Sequence, residues 1–332
     1  MKKRLVLILS ILLLSISLIL PLVSCKKNTD VEPEKKEVIP YTFVDGSSIY
    51  IKMGTYPQTI ASVSADTIKA NGTYDEQTGY YTYEGSLYKL VIAHPCTQEM
   101  SAVFSDGQSV VEGKEYAFKV EDIIWKLINK QLEEEDYFAY SNKVLDTAIY
   151  QQQAKIGKAS NNVYYLYDSN NRLQIEEEIY ANNWEYSVLR SALAQFYNIA
   201  FNEDNKTAIK QVDNVNSSQD SGGDYFPSHQ NNTKDYVFCL SKAQASNSRY
   251  GFTDEDKERR LREVTDYAIA KGAFYIETTD GAKFGWIWTR TAAQTSNSVY
   301  KITTTGDITA SFINNDDDLK IGYVPAMRIT KI

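Results

Sequence analysis

The chain has 332 residues, with 43 Asp+Glu against 35 Lys+Arg and two His, for a formal net charge of −8. An acidic chain without a basic stripe lacks the electrostatic footprint of nucleic-acid binding. Two histidines leave little for imidazole-based metal or nucleophile chemistry.

Lys2, Lys3 and Arg4 precede a nearly unbroken apolar stretch, Leu5 to Leu20, which ends in Leu22-Val23-Ser24-Cys25. A membrane span needs about 20 apolar residues, so length alone also fits an anchor. The small residue before a cysteine instead reads as a signal segment, 1–24, to be left out of fold reasoning. It resembles a bacterial lipobox. That resemblance implies diacylglycerol on the Cys25 thiol, cleavage before it, and acylation of the new amino group by a chain such as palmitate. Two or more acyl chains anchor stably where one does not. The expected localisation is therefore outside the cytoplasm, on the periplasmic or extracellular face of a bacterial cell membrane, held by lipid. Residues 25–40 carry the cysteine and then "KKNTDVEPEKKEVIP", whose eight charges and two prolines make a tether of up to ~50 Å at ~3.3 Å per residue.

From Tyr41 the composition is globular, and 41–332 reads as one exported domain. Strand candidates come first: Ile49–Gly54, Tyr80–Tyr83, Leu87–Ala93, the run from Gly113 to Ile128, and Val163–Tyr167, rich in β-branched and aromatic residues between Gly, Asp and Asn. Two helices follow. One is predicted over Trp184–Phe201, with Asn182 and Glu185 as a capping-box-like start and an apolar stripe through Val188, Leu189, Leu193 and Phe196. The other is predicted over Asp254–Lys271, with Thr253 as N-cap, Leu261, Val264 and Ala268 as its stripe, and Gly272 as the stop. Between them Asp213–Asp235 is a long Ser/Asn/Gly/Asp loop, and loops of that length are functional or are spacers. Its Tyr225 and Phe226 are candidate anchors for a partner. Short strands then return, ending in Ile321–Ile329. Strands, helices and strands in that order argue for α+β.

Eight stretches in this order, "IKMGTYPQT" (Ile51–Thr59), "FKVEDIIWKLI" (Phe118–Ile128), "NKVLD" (Asn142–Asp146), "NNWEYSVLRSALAQFYNIAF" (Asn182–Phe201), "VFCLS" (Val237–Ser241), "TDYAIAKG" (Thr265–Gly272), "WIWTRT" (Trp286–Thr291) and "IGYVPAMRI" (Ile321–Ile329), resemble the domain-of-unknown-function family 6273, often carried on exported lipoproteins. The resemblance spans roughly 45–330. That family is distantly similar to the sulfatase-modifying, formylglycine-generating branch of the C-type-lectin-like fold, which implies a single C-type-lectin-like domain. In that branch a Trp/Arg strand and a Gly…Arg strand near the C-terminus are core elements. Trp286, Trp288 and Arg290 share one face of a strand by period two. Arg190, Arg290 and Arg328 are then candidates for internal ion pairs, with Glu121 and Glu185 as possible partners. A ligand-facing role for Trp286, Trp288 or Arg290 is the alternative.

The resemblance does not bring the enzyme's activity with it, because the closely spaced copper-binding cysteines are missing between Trp288 and Val324. The Glu-Pro-Asn-like and Trp-Asn-Asp-like triplets of calcium-dependent sugar binding are missing as well. Asn314–Asp318 is oxygen-rich and reads as a solvated acidic turn or a hard-cation site. His94-Pro95-Cys96 offers a histidine and a thiol without a third, orienting group, and Cys96 and Cys239 are free or paired. No metal and no cofactor is expected. The 25 tyrosines and four tryptophans suit half-buried strand faces, or a contact surface for glycan or protein. The expected function is a non-catalytic exported domain that binds a protein or glycan ligand. The alternative is a cell-envelope enzyme or enzyme accessory on the same fold.

Overall fold

The computed structural model describes residues 42–46, 48–96, 101–129, 135–217, 222, 231–313 and 320–330. The chain is mostly β-sheet with few and short helices. Cys25, Tyr225, Phe226, His229 and the Asn314–Asp318 run lie outside the described residues. Among the described residues no helix is long and apolar enough to cross a membrane.

The largest sheet has ten strands. Its two long members, Ser48–Ile60 and Glu115–Leu127, pair antiparallel along most of their length. Both carry the β-branched and aromatic side chains that pack well on a pleated surface. Ser86–Ile92 pairs with the first half of Glu115–Leu127, and Asp136–Ser141 pairs with its last residues. The C-terminal Ala326–Thr330 strand then adds to Asp136–Ser141. A five-stranded sheet contains Ile287–Ala292, Ser298–Ile302, Ile308–Phe312, Gly322–Tyr323 and Asp146–Thr147, and a four-stranded sheet contains Lys143–Val144, Glu263–Val264, Tyr275–Glu277 and Lys283–Gly285. One continuous segment, 136–147, thus enters these three larger sheets in turn.

The first predicted helix is shorter than its apolar stripe suggested. It runs Val188–Ala200, capped by Ser187, whose hydroxyl accepts from Arg190 N. Asn182 does not cap it. The Asn182 amide is drawn to the Thr295 and Ser298 carbonyls, 2.9 and 3.2 Å away, a long-range tie that outweighs local capping. Leu189, Leu193, Phe196 and Ala200 are buried, and the Phe196 ring meets Tyr56, Trp125 and Tyr323. This contact seats the helix on the core.

The second predicted helix is replaced by three separate elements: a 3₁₀ turn Lys257–Arg260, a strand Glu263–Val264, and a short helix Asp266–Ala270 capped by Thr265. Tertiary contacts override the helical period. The buried Arg260 guanidinium reaches the Ala245 and Gly306 carbonyls and Asp254, and Glu263–Val264 pairs with strands on both sides. Gly272 does end the segment, at φ +96°. The predicted Asp213–Asp235 loop begins and ends in a hairpin, Val212–Asn214 against Thr233–Asp235. No disulfide joins Cys96 and Cys239.

Gly54 breaks the register of Ser48–Ile60 against its partner. Its φ is +72°, and an added Cβ would lie 2.6 Å from Ala200 O and 2.7 Å from the Phe201 ring. Gly54→Ala is expected to destabilise the fold by at least about 1–2 kcal/mol, the cost of left-handed backbone for a residue with a Cβ. A thermal melt that matches the parent's would contradict this role.

Candidate functional site

At the junction of the sheets lies a carboxylate. Asp146 is 4 % exposed, on a two-residue strand opposite Tyr323. Tyr56 donates its hydroxyl to Oδ2 at 2.7 Å, and Tyr323 donates to the same oxygen at 3.3 Å. Oδ1 accepts from Thr147 N at 2.6 Å and pairs with Lys271 Nζ at 2.5 Å. Gly272 and Thr265 fix where the short helix ends and starts, and so place Lys271 and Tyr267. Lys271 O accepts in turn from Thr147 Oγ1. Burying a charge without partners costs several kcal/mol, and these donors and the lysine offset that cost.

Around this carboxylate is a recess of about 200 Å³ lined by Tyr56, Tyr80, Tyr267, Tyr323, Lys89 and Lys271, with Thr78 and Gln195 beside them. Burial first, and then the Asp146 charge, hold the Tyr56, Tyr267 and Tyr323 phenols well above their ordinary pKa. Tyr80 is raised for the same two reasons. All four remain protonated donors at neutral pH. Burial, followed by the neighbouring Lys271 charge, lowers the Lys89 pKa, and Asp146 pulls against both. Lys89 Nζ donates to Gly79 O at 3.1 Å.

Tyr80 differs from the other phenols. It is 4 % exposed, and its buried hydroxyl has no hydrogen-bond partner among the described residues. Buried polar groups are rarely left so. Tyr80, Thr78 and Ile199 also line a larger groove of about 930 Å³, which runs past Gly54, Asn198, Asn202 and Lys206. The recess therefore opens onto a groove able to hold a longer molecule.

The arginines and tryptophans singled out in the sequence lie elsewhere. Arg190 pairs with Asp235 at 2.7 Å and donates to Glu185 O, so its carboxylate partner is neither Glu121 nor Glu185. The Glu121 side chain accepts from Thr59 N, and the Glu185 side chain accepts from the Asn231 amide. Arg290 is buried and donates to Asn216 Oδ1, Cys239 O and Gln244 Oε1. Burial pushes its pKa down to about 10, with Cys239 and Asp235 opposing. Arg328 lies over the Phe138 ring at 4.1 Å and donates to Tyr250. Trp288 donates to Ala148 O and packs against Tyr150. Trp286 is half-buried between Phe274 and Lys301. None of these side chains lines the recess around Asp146.

Sequence reasoning quoted most of the stretches that do form the recess without seeing that they meet. Tyr56 comes from "IKMGTYPQT", Asp146 from "NKVLD", Gln195 and Phe196 from the helical stretch, Tyr267 and Lys271 from "TDYAIAKG", and Tyr323 from "IGYVPAMRI". The available signal was a Tyr, Asp or Lys embedded in each otherwise apolar motif. Among the described residues no cluster of three His, Cys, Asp or Glu is arranged to hold a metal.

A mostly β domain with a polar recess around the buried Asp146 carboxylate is the class of structure these features define. The family profile of DUF6273, a domain of unknown function, matches residues 141–329, and the chain belongs to that family. The match begins at Ser141, so Ser48–Ile60 and Glu115–Leu127 precede it, although they pair into the same sheet as the matched C-terminal strand. Neither curated proteins nor solved structures gave a match to this chain.

Two outcomes are expected. Arg290→Ala removes the guanidinium donor from two buried acceptors, Asn216 Oδ1 and Cys239 O, while Gln244 Oε1 keeps Ser241 N, and should destabilise the domain by about 2 kcal/mol; an unchanged melting temperature would contradict the buried position. The second concerns Lys301, whose Nζ sits 3.0 Å from the Trp286 ring centroid. Burial lowers its pKa from 10.5 to about 8. Below the lower value, folded and unfolded chains are equally protonated, and the cost of the dehydrated ammonium is fully present. Between the two values the unfolded chain holds more proton, so this group makes stability rise with pH. The parent should gain stability relative to Lys301→Met between pH 7 and pH 10 in denaturant titrations. Parallel curves would refute the assignment.

Proposed function

We propose that the chain is an exported lipoprotein, anchored through Cys25 to a bacterial cell membrane, whose domain binds a small polar ligand in the recess around Asp146. The observation that carries the reading is the convergence of five of the family-like stretches on one polar recess in which a buried hydroxyl, that of Tyr80, is left to bond something else. The Tyr80 hydroxyl and the two ammonium groups present donors, the Tyr56 and Tyr323 hydroxyls already donate to Asp146 and offer only acceptor lone pairs, and the aromatic faces offer stacking area. A saccharide, rich in acceptor oxygens and apolar ring faces, fits these walls, and the adjoining groove would let a glycan chain continue outward. The kinship to the C-type-lectin-like, sulfatase-modifying fold is part of this proposal and rests on the order of the eight motifs.

One observation favours a second reading. A recess holding several groups with displaced pKa values is also how enzyme sites are built. Against catalysis, both Asp146 oxygens are already committed to donors, and the phenols are held in their weakly acidic form. These features suit holding a ligand better than moving a proton.

Tyr80→Phe separates the readings from mere structure. Removing an unpartnered buried hydroxyl should leave stability unchanged or raise it by about 1 kcal/mol, while glycan-array and calorimetric binding is reduced. Binding identical to the parent's, or no binding by the parent to any glycan of the array, would count against the glycan site. For the anchor, Cys25→Ser should leave the protein unprocessed or release it from the membrane fraction. Normal maturation with detergent-phase partitioning of that variant would sink the lipoprotein reading.

A further inference from the structure

A second cavity lies on another part of the domain, and it is positively charged in an acidic chain. It has a volume of about 310 Å³. Its floor is apolar: Ile49, Leu127, Ile128 and Phe252 are all buried. Its polar wall carries Lys126, Arg249 and Arg259, and none of its lining residues among those described is acidic.

Little in the structure neutralises these cations. The Lys126 ammonium has no hydrogen bond or ion pair among the described residues, and neither does the Arg249 guanidinium, which is exposed. Arg259 has one long contact, 3.7 Å to Asp256, between two side chains that are both more than half exposed, and such pairs contribute little. A further positive charge stands behind the wall. Arg262 is 5 % exposed and stacks over the Tyr140 ring at 4.5 Å. Tyr140 is the strand neighbour of Lys126. Arg262 donates through Nε and Nη1 to the carbonyls of Ser141, Arg259 and Leu261, while its buried Nη2 has no partner among the described residues. The Lys126 pKa is lowered by burial, then by the Arg262 and Arg259 charges. Like charges gathered at one recess oppose folding, and a bound anion would relieve that repulsion.

We propose that this cavity is a binding site for a small organic oxyanion, a carboxylate or phosphate monoester carried on a compact apolar body. The apolar part would rest on Phe252, Leu127 and Ile128. The anionic oxygens would take hydrogen bonds from Lys126 and Arg249, the guanidinium fork being suited to two oxygens at once. The site shares no lining residue with the recess around Asp146, so this proposal stands independently of the glycan reading.

The test uses the purified full-length chain with phenyl phosphate and benzoate as anionic probes. Benzyl alcohol is the neutral control, and potassium chloride controls for ionic strength. Calorimetry and thermal shift should show saturable binding of at least one anionic probe, with no comparable effect of benzyl alcohol. Lys126→Met, which removes a partly buried charge, and Arg249→Ala, which changes an exposed side chain, should each weaken binding by about tenfold, the factor that corresponds to one charge-assisted hydrogen bond. Arg249→Ala is expected to fold as the parent does, so it reads the site even if Lys126→Met is perturbed. The proposal is overturned if neither probe binds at millimolar concentration, if potassium chloride reproduces the thermal shift, or if Arg249→Ala binds as tightly as the parent.

Discussion

The meeting of the sheets depends on the buried Asp146 carboxylate and the donors that make its burial tolerable. Segment 136–147 passes from the ten-stranded sheet through the four-stranded sheet into the five-stranded one, and Asp146 is where it arrives. Its oxygens tie together the long Ser48–Ile60 strand through Tyr56, the Gly322–Tyr323 strand through Tyr323, and the end of the Asp266–Ala270 helix through Lys271. An ionised carboxylate withdrawn from water is tolerable only while such partners hold. The sheets therefore cannot shift relative to one another without exposing or stranding that charge. A network of this kind specifies one arrangement of the elements more than it adds net stability.

The parts of the fold set by local pattern were legible in the sequence, and those set by distant partners were not. The paired Ser48–Ile60 and Glu115–Leu127 strands announce themselves through alternating apolar and aromatic residues. The Val188–Ala200 helix was visible in its apolar stripe, but its start was not, because nothing local shows that the Asn182 amide is taken by Thr295 and Ser298. Asp254–Lys271 read as one helix because Leu261, Val264 and Ala268 share a helical period. The buried contacts of Arg260 and the strand pairing of Glu263–Val264 break that segment. Gly272 marked the true end, since a stop signal is local.

The arginines show a related limit. A search of the sequence for ion pairs looks for carboxylates, yet Arg290 and Arg260 spend most of their donors on backbone carbonyls and amide oxygens. Carbonyls exist at every position and carry no sequence signal. The recess was hidden for another reason: residues 56, 80, 89, 146, 267, 271 and 323 are brought together only by strand crossings between sheets. Each of its stretches was recognisable alone. Their meeting point was not.

The charges of the recess also constrain what it can hold. One carboxylate is already bound to an ammonium, and a second ammonium, that of Lys89, stands nearby with its pKa depressed partly by Lys271. The field felt by a newcomer is therefore positive, and the protonated phenols add no charge to it. A cationic ligand would meet two lysines and find no free carboxylate oxygen. A neutral ligand rich in acceptors would meet the unpartnered Tyr80 hydroxyl first. The net negative charge of the whole chain acts only weakly against this, because it is spread over a surface screened within about 8 Å at physiological ionic strength. Local geometry, and not overall charge, sets the field inside the recess.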